Sequence, residues 1–409
     1  MSMILALSLL LLGPVDTGTT GLTSSEKSKA TRIITRYFKE WDPKKRAEIL
    51  AELEPLDHPS AADVRSFTKA CFKLARTGLP RQKGKSPFTC LHPDYGGPYV
   101  MRVPSRAKGG AKTGVFISLH GSGGSGPGTE RHFGAPDSKL ICVYPTVTER
   151  RTGWTQPQGE RFVTAILDEL KRTYRVDTNR VYLAGHSMGG YGTWSVGGKH
   201  ADLFAAAAPM AGGVYERGVV PNFRNLPLRV YNAEDDRVVK PSSSIRAFER
   251  IDQELRPRHG GYPATFNLYP PKDRIGHGFP KKRGHDIRSI FAWMLKHTRD
   301  PRPERVVWEP SLSWKRHFYW LFSERGSGVI DVRRDGNTFT VSGGRGDLWI
   351  QLDKTLCDLK KPVVVRLVTR DGEREVFRGL PKLSLRVLVE SVGVRNDPEM
   401  AYVARVRVR

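Results

Sequence analysis

Ser187 stands in Gly185-His186-Ser187-Met188-Gly189, directly after the apolar run Val181 to Ala184 and before Gly190 to Ser195. A serine spaced this way between a strand and a helix is forced onto a tight, strained turn. A Cβ at Gly185 or Gly189 would collide with the neighbouring strand or helix. The hydroxyl is pushed out at the top of a sheet, at a helix N-terminus whose free N–H groups favour developing negative charge. Such a serine becomes a nucleophile when a base takes its proton and a third group orients the base. His277 is the expected base: it is flanked by Gly276 and Gly278, on a loop after the strand Phe266 to Tyr269. His285 directly precedes the helix Asp286 to His297 and reads better as a cap or surface residue. The acid is sought after the strand Leu228 to Tyr231, among Glu234, Asp235 and Asp236. Chemistry alone does not rank the two aspartates, since either can orient an imidazole.

A second glycine motif follows the buried strand Gly114 to Leu119, as His120-Gly121-Ser122-Gly123-Gly124-Ser125-Gly126. Glycines after a strand let backbone N–H groups approach a ligand closely. A dinucleotide loop is the weaker reading, because the G-x-G-x-x-G context with a downstream acid on a second strand is missing. His120 and His186 flank the two glycine motifs and are expected to line or support the site, and His200 to end a helix.

Around the elbow, Tyr174-Arg-Val-Asp177-Thr-Asn-Arg180-Val-Tyr-Leu-Ala leads in and Gly-Tyr-Gly-Thr-Trp194 follows on. Over this stretch the chain resembles the α/β-hydrolase superfamily, most closely bacterial secreted esterases of the polyhydroxybutyrate-depolymerase, feruloyl-esterase and dienelactone-hydrolase type. The resemblance covers roughly residues 97–298. Prolyl-oligopeptidase-type peptidases share the same elbow. The resemblance implies an oxyanion hole made by the Met188 N–H with a backbone N–H at Ser122 or Gly123. It also makes Asp236 the first choice of acid, because Asp236-Arg237-Val238-Val239 matches the family's ending, with Asp235 as runner-up. The order Ser187, Asp236, His277 is the superfamily's order, and gaps of 49 and 41 residues each leave room for one or two strand–helix units.

The elements that must position these residues alternate strand and helix: Leu140 to Pro145, Glu160 to Arg175, the elbow, then Leu203 to Met210. That alternation predicts a mostly parallel sheet with helices on both faces, an α/β-hydrolase fold. Before it, residues 22–90 read as a small helical region. Ile33, Ile34, Tyr37, Phe38 and Trp41 recur at helical spacing, and Asp42-Pro43 starts a second helix. Residues 91–298 form the hydrolase body, 299–305 (RDPRPER) a linker, and 306–409 a β-rich domain of eight strand candidates and a short helix at Ser384 to Val392. Asp335-Gly336-Asn337 signals a hairpin. Arg405, Arg407 and Arg409 share one face of the last strand, expected as a solvated edge rather than a polyanion patch.

Composition narrows the function classes. The 409 residues carry a net charge of +25, yet Lys and Arg are scattered and no nucleic-acid-binding signature appears. No 18-residue apolar run exists, so no membrane span is expected. Ile4 to Leu12 is apolar but for Ser8 and suits a signal-peptide core, so residues 1–21 are expected to direct export. None of Cys71, Cys90, Cys142 and Cys357 has metal-ligand spacing. Export would allow a Cys71–Cys90 disulfide, while Cys142 reads as a buried thiol. The expected activity is a metal-free, cofactor-free serine hydrolysis of a small or polymeric ester, with a polysaccharide-linked ester among the candidates. Its pocket walls are sought in loops 146–158 and 213–226, with Trp154 or Tyr215. The rivals are a prolyl-oligopeptidase-like peptidase and a catalytically silent protein that binds an acidic polymer.

Overall fold

The computed structural model describes residues 21–82, 86–92, 95–134, 137, 139–147, 153–278, 284–312 and 314–409. The expected signal segment therefore lies almost entirely outside the described residues.

Three helices come first: α1 (Ser24–Lys39), α2 (Pro43–Ala51) and α3 (Ala61–Thr77). Capping boxes start α1 (Thr23 with Glu26) and α3 (Ser60 with Asp63), and Asp42 caps α2 with Pro43 at its first position. The hydrolase body follows with β1 (Phe88–Thr89), β2 (Pro98–Arg102), α4 (Ser105–Lys108), β3 (Thr113–Leu119), α5 (Gly126–Phe133) and β4 (Ile141–Pro145). Next come α6 (Pro157–Thr173), β5 (Val176–His186), α7 (Met188–Lys199), β6 (Ala206–Met210), β7 (Leu228–Ala233), α8 (Ser242–Arg250), α9 (Arg256–His259), β8 (Ala264–Tyr269) and α10 (Gly284–Met294). The eight strands form one sheet in the order β1-β2-β4-β3-β5-β6-β7-β8, antiparallel at the β1–β2–β4 end and parallel from β4 to β8. This is the expected α/β-hydrolase architecture.

The chain steps outward from β3 to β4, then crosses back over β3 to β5. The connections leaving β3 and β5 therefore diverge to opposite faces, and a crevice opens beyond the carboxyl ends of those two strands. The glycine loop after β3 and the elbow after β5 lie at that point. The core on the α6–α7 side holds Ile117, Leu119, Leu183, Trp194 and Phe223. The core on the α5–α10 side holds Phe116, Tyr144, Tyr182, Met210 and Phe291.

Beyond residue 298 the chain adds β9 (Arg305–Trp308), β10 (His317–Phe318), β11 (Leu321–Phe322), β12 (Ser327–Asp335), β13 (Thr338–Arg345), β14 (Trp349–Leu352), β15 (Val363–Thr369), β16 (Gly372–Gly379), α11 (Leu385–Arg395) and β17 (Ala404–Arg407). They make a four-stranded sheet, β10-β11-β14-β17, and a five-stranded sheet, β16-β15-β13-β12-β9. Asp335 pairs with Thr338 across Gly336-Asn337, so the expected hairpin forms, with Gly336 at φ 54°. His317–Phe322, one of the eight strand candidates of this region, folds into two short strands that pair with each other.

Packing changes four expectations. First, residues 299–305 are not a loose tether. Arg299 is buried, its guanidinium donating to Asp397 at 2.8 Å, to the Asn179 side chain and to the Asp202 carbonyl. Arg305 pairs with Asp331, which also accepts from His259 of the body. Second, α11 leaves the sheets and packs Leu385, Leu388, Val389 and Val392 against Ile33, Ile34, Phe38 and Phe67. Three helices alone make a very small core, and the distant helix completes it. Third, all four cysteines are free and buried, so no Cys71–Cys90 bridge forms. Cys71 lies on the inward face of α3, while the Cys90 thiol donates to Glu169. Cys142 is the buried thiol expected of it, and burial pushes its pKa up to about 12. Fourth, the arginines of the last strand are not simply solvated. Arg405 lies 3.6 Å from the Phe322 ring centroid and bonds Glu390, and Arg409 donates to the carbonyls of Gly343 and Gly346. Arg407 remains exposed.

Candidate active site

The elbow is as tight as the glycine spacing demands. A Cβ on Gly185 would lie 2.3 Å from the Gly189 carbonyl oxygen, and one on Gly189 would lie 2.1 Å from that of Leu119. Between them Ser187 adopts φ 57°, ψ −119°, a strained conformation for a residue with a side chain. Its own N–H donates to Met210 of the neighbouring strand, which anchors the turn. Met188 opens α7, so its N–H is among those with no partner inside the helix.

Three side chains from three loops converge here. His277 Nε2 lies 2.9 Å from Ser187 Oγ, and His277 Nδ1 lies 2.7 Å from Asp236 Oδ2. The carboxylate only accepts, so Nδ1 carries the proton and Nε2 is free to accept from the serine hydroxyl. Asp236 Oδ1 accepts the backbone N–H groups of Val238 and Val239, each at 2.8 Å. The carboxylate is thus buried with both oxygens bonded. Asp235, the runner-up, turns away from the imidazole, and its Oδ1 accepts the Gly276 N–H at 2.8 Å. His285 falls in the first turn of α10, and its side chain lies outside the described residues.

The glycine loop after β3 is a turn closed by the Gly124 N–H on the Gly121 carbonyl. Ser122 and Gly123 are its two central residues, and Gly123 has φ 71°, which suits the third position of a type II turn. The loop approaches the elbow closely: a Cβ on Gly121 would lie 3.3 Å from Ser187 Cβ. His120 supports it from below. Its Nδ1 donates to the Gly121 carbonyl at 2.7 Å, and its Nε2 accepts from the Val147 N–H at 3.0 Å. Burial lowers its pKa, in keeping with a neutral ring. Trp154 is fully buried and donates to the His120 carbonyl, so it braces this loop instead of lining a pocket. Tyr215 is 60% exposed. Of loop 146–158, residues 148–152 lie outside the described residues. A cavity of about 180 Å³ opens against the loop, bordered by Gly121, Ser122, His132, Phe133 and His186.

His186 was expected only to line or support the site. Its Nε2 lies 3.0 Å from the His277 carbonyl oxygen. Burial, with the nearby His277 adding to it, pushes its pKa down to about 4, so it is neutral at ordinary pH. His200 caps the C-terminus of α7, as expected. Among the described residues no group of three or more His, Cys, Asp or Glu could hold a metal, and no helix is long and apolar enough to cross a membrane.

The sheet order, the crossover switch and the elbow define an α/β-hydrolase fold, with Ser187 on the turn between β5 and α7. Parts of the chain are similar to known proteins. A model of the prolyl oligopeptidase family matches residues 160–220. A bifunctional acetylxylan esterase/xylanase of Neocallimastix patriciarum is 37% identical over 81 residues, which is 19% of this chain and 12% of that protein. A poly(3-hydroxyalkanoate) depolymerase C of Paucimonas lemoignei is 38% identical over 90 residues, covering 19% and 22%. A putative esterase of Nocardia uniformis subsp. tsuyamanensis is 35% identical over 111 residues, covering 24% and 32%. The matches thus span less than a third of each relative's length. Among solved structures, a thermostable esterase aligns at 24% identity and TM-score 0.44, over 52% of this chain and 63% of that one. A ferulic acid esterase aligns at 17% identity and TM-score 0.42, over 53% and 99%.

Proposed function

We propose that the protein is a serine hydrolase that cleaves carboxylic esters through an acyl-enzyme. The observation that carries this reading is the unbroken line from Asp236 through His277 to Ser187, at 2.7 and 2.9 Å. Ser187 Oγ attacks the ester carbonyl while His277 Nε2 takes its proton. The imidazolium formed is held by the buried Asp236 carboxylate, then gives the proton to the leaving alcohol oxygen. The C–O bond to the alcohol breaks, and water, activated by the same imidazole, releases the acid. The oxyanion of each tetrahedral intermediate is received by the Met188 N–H and a backbone N–H at Ser122 or Gly123. Loss of one such donor costs about 10²–10³ in rate. Two of the relatives, an acetylxylan esterase/xylanase and a poly(3-hydroxyalkanoate) depolymerase, are named for polymeric esters, which supports a polymeric or polysaccharide-linked ester as the substrate class.

A fluorophosphonate probe with the adduct mapped by mass spectrometry tests the site. One adduct on Ser187, lost in His277→Ala and kept in His285→Ala, is the expected result. Unchanged p-nitrophenyl ester turnover in Ser187→Ala ends the assignment. Peptidase activity is the second reading, favoured by the prolyl oligopeptidase match at residues 160–220. The relatives named above are esterases or a depolymerase, so ester turnover is expected to exceed that of proline p-nitroanilides. The acidic-polymer reading predicts salt-sensitive polymer retention without any Ser187 adduct.

A further inference from the structure

The loop bearing His277 is folded by two tight turns, closed by the Asp273 and Arg274 N–H groups on the Pro270 and Pro271 carbonyls and by the Gly278 N–H on that of Ile275. It leaves β8 at Tyr269, and Gly276 and Gly278 flank the histidine, with Gly276 at φ 55°. Glycines on both sides of the histidine widen the backbone's choice of conformation, so bonds from outside the loop help to set the direction of the imidazole. Ile275 anchors the loop by burial in the core on the α10 side. Two polar side chains then reach the main chain around His277. Asp235 Oδ1 accepts the Gly276 N–H at 2.8 Å, and His186 Nε2 stands 3.0 Å from the His277 carbonyl. A carbonyl oxygen only accepts, so His186 donates here and carries its proton on Nε2.

The placement of these two residues is systematic. Asp235 immediately precedes Asp236, and His186 immediately precedes Ser187. Each strand end that delivers one member of the triad also delivers, one residue earlier, a bond to the backbone of the third member. We propose that Asp235 and His186 are positioning residues: they clamp the main chain on the two sides of the His277 Cα. The imidazole then meets Ser187 Oγ and Asp236 Oδ2 at once. This rests on the triad reading above. Neither residue touches the reacting atoms. Their contribution is geometric, and misplacing a base by about 1 Å can cost about 10²-fold in rate.

The test uses the full chain with four variants, His186→Leu, His186→Gln, Asp235→Ala and Asp235→Asn. Leucine fills similar space without a donor, while a glutamine amide puts a donor near the place of Nε2. Asparagine keeps an oxygen acceptor for Gly276 and drops only the charge. For each, kcat and KM on p-nitrophenyl acetate, the rate of Ser187 labelling by a fluorophosphonate, and the melting temperature are measured. The Leu and Ala variants are expected to lose about 10- to 100-fold in kcat and in labelling rate, with KM within about twofold. The Gln and Asn variants are expected to stay within about threefold of the parent chain on both rates.

Leu and Ala variants with the parent's kcat overturn the proposal. So do Gln and Asn variants as impaired as Leu and Ala, because that pattern requires the imidazole or the charge itself and not the bond. If His186→Leu does not fold, the Asp235 pair and His186→Gln decide by the same criteria. Ser187→Ala separates the two levels: inactive Ser187→Ala beside unimpaired clamp variants removes the clamp and leaves the triad. An active Ser187→Ala removes the triad.

Discussion

Replacing Asp236 by Asn tests the relay without changing its shape. In the parent, one carboxylate oxygen takes the His277 Nδ1 proton and the other takes the N–H groups of Val238 and Val239. An asparagine has one acceptor and one donor end. Its oxygen stays with the two backbone donors, so its NH₂ faces His277 Nδ1. That orientation forces the imidazole to carry its proton on Nε2, where it cannot accept from Ser187. Reversing the amide restores the productive tautomer but aims NH₂ at two backbone donors. Leaving them unsatisfied costs about 1–3 kcal/mol each. The productive arrangement therefore lies about 2–6 kcal/mol higher, a loss in kcat of about 30- to 3 × 10⁴-fold at 1.36 kcal/mol per tenfold. The same change in serine-protease triads costs about 10⁴, so the upper part of that range is expected. The assay is kcat on p-nitrophenyl acetate at neutral pH, with thermal unfolding in parallel. Stability should change little, because both backbone bonds are kept. A loss below about tenfold in a folded variant would refute the tautomer reasoning.

Three further outcomes follow from the packing. Gly189→Ala places a Cβ 2.1 Å from the Leu119 carbonyl, and the backbone shift it forces should cost about 3 kcal/mol or more in denaturant unfolding. Asp397→Asn breaks the buried pair with Arg299 and should cost about 3–5 kcal/mol. Burial alone would raise the Asp397 pKa, but Arg299 and Lys171 outweigh it and hold it down to about 2. A carboxylate depressed in the folded state stabilises fully above its unfolded pKa of about 4. That stability is lost as pH falls towards 2, and the acid transition of Asp397→Asn should lack this part. Finally, thiol titration without reductant should find no reactive cysteine in the native chain and four after unfolding. Fewer than four would restore a disulfide.

Much of the site was legible in the chain because its chemistry is local. Gly185 and Gly189 report backbone collisions within a few residues of Ser187, and the run Gly276-His277-Gly278 marks a base loop by its neighbours alone. The strands and helices of the body were legible for a similar reason: their apolar periodicity is written residue by residue. Asp235 and Asp236 were chemically equivalent on paper. A carboxylate's direction is set by the groups around it, and residues 41 positions downstream supply one to each: the Gly276 N–H to Asp235 and the His277 Nδ1 to Asp236.

The amino-acid sequence by itself determined the elbow, the strand–helix alternation, the glycine loop and the identities of serine and histidine candidates. All of these rest on short-range sterics and periodicity. Only the tertiary structure decided which aspartate faces the imidazole, that His186 reaches the His277 backbone, and that Trp154 braces the glycine loop. The same holds for the union of α11 with the N-terminal helices and for the burial of Arg299 against Asp397. Each of these joins residues far apart in the chain, whose meeting depends on how whole elements pack. No local pattern encodes that, because the free energy of such contacts belongs to the assembled core rather than to either segment alone.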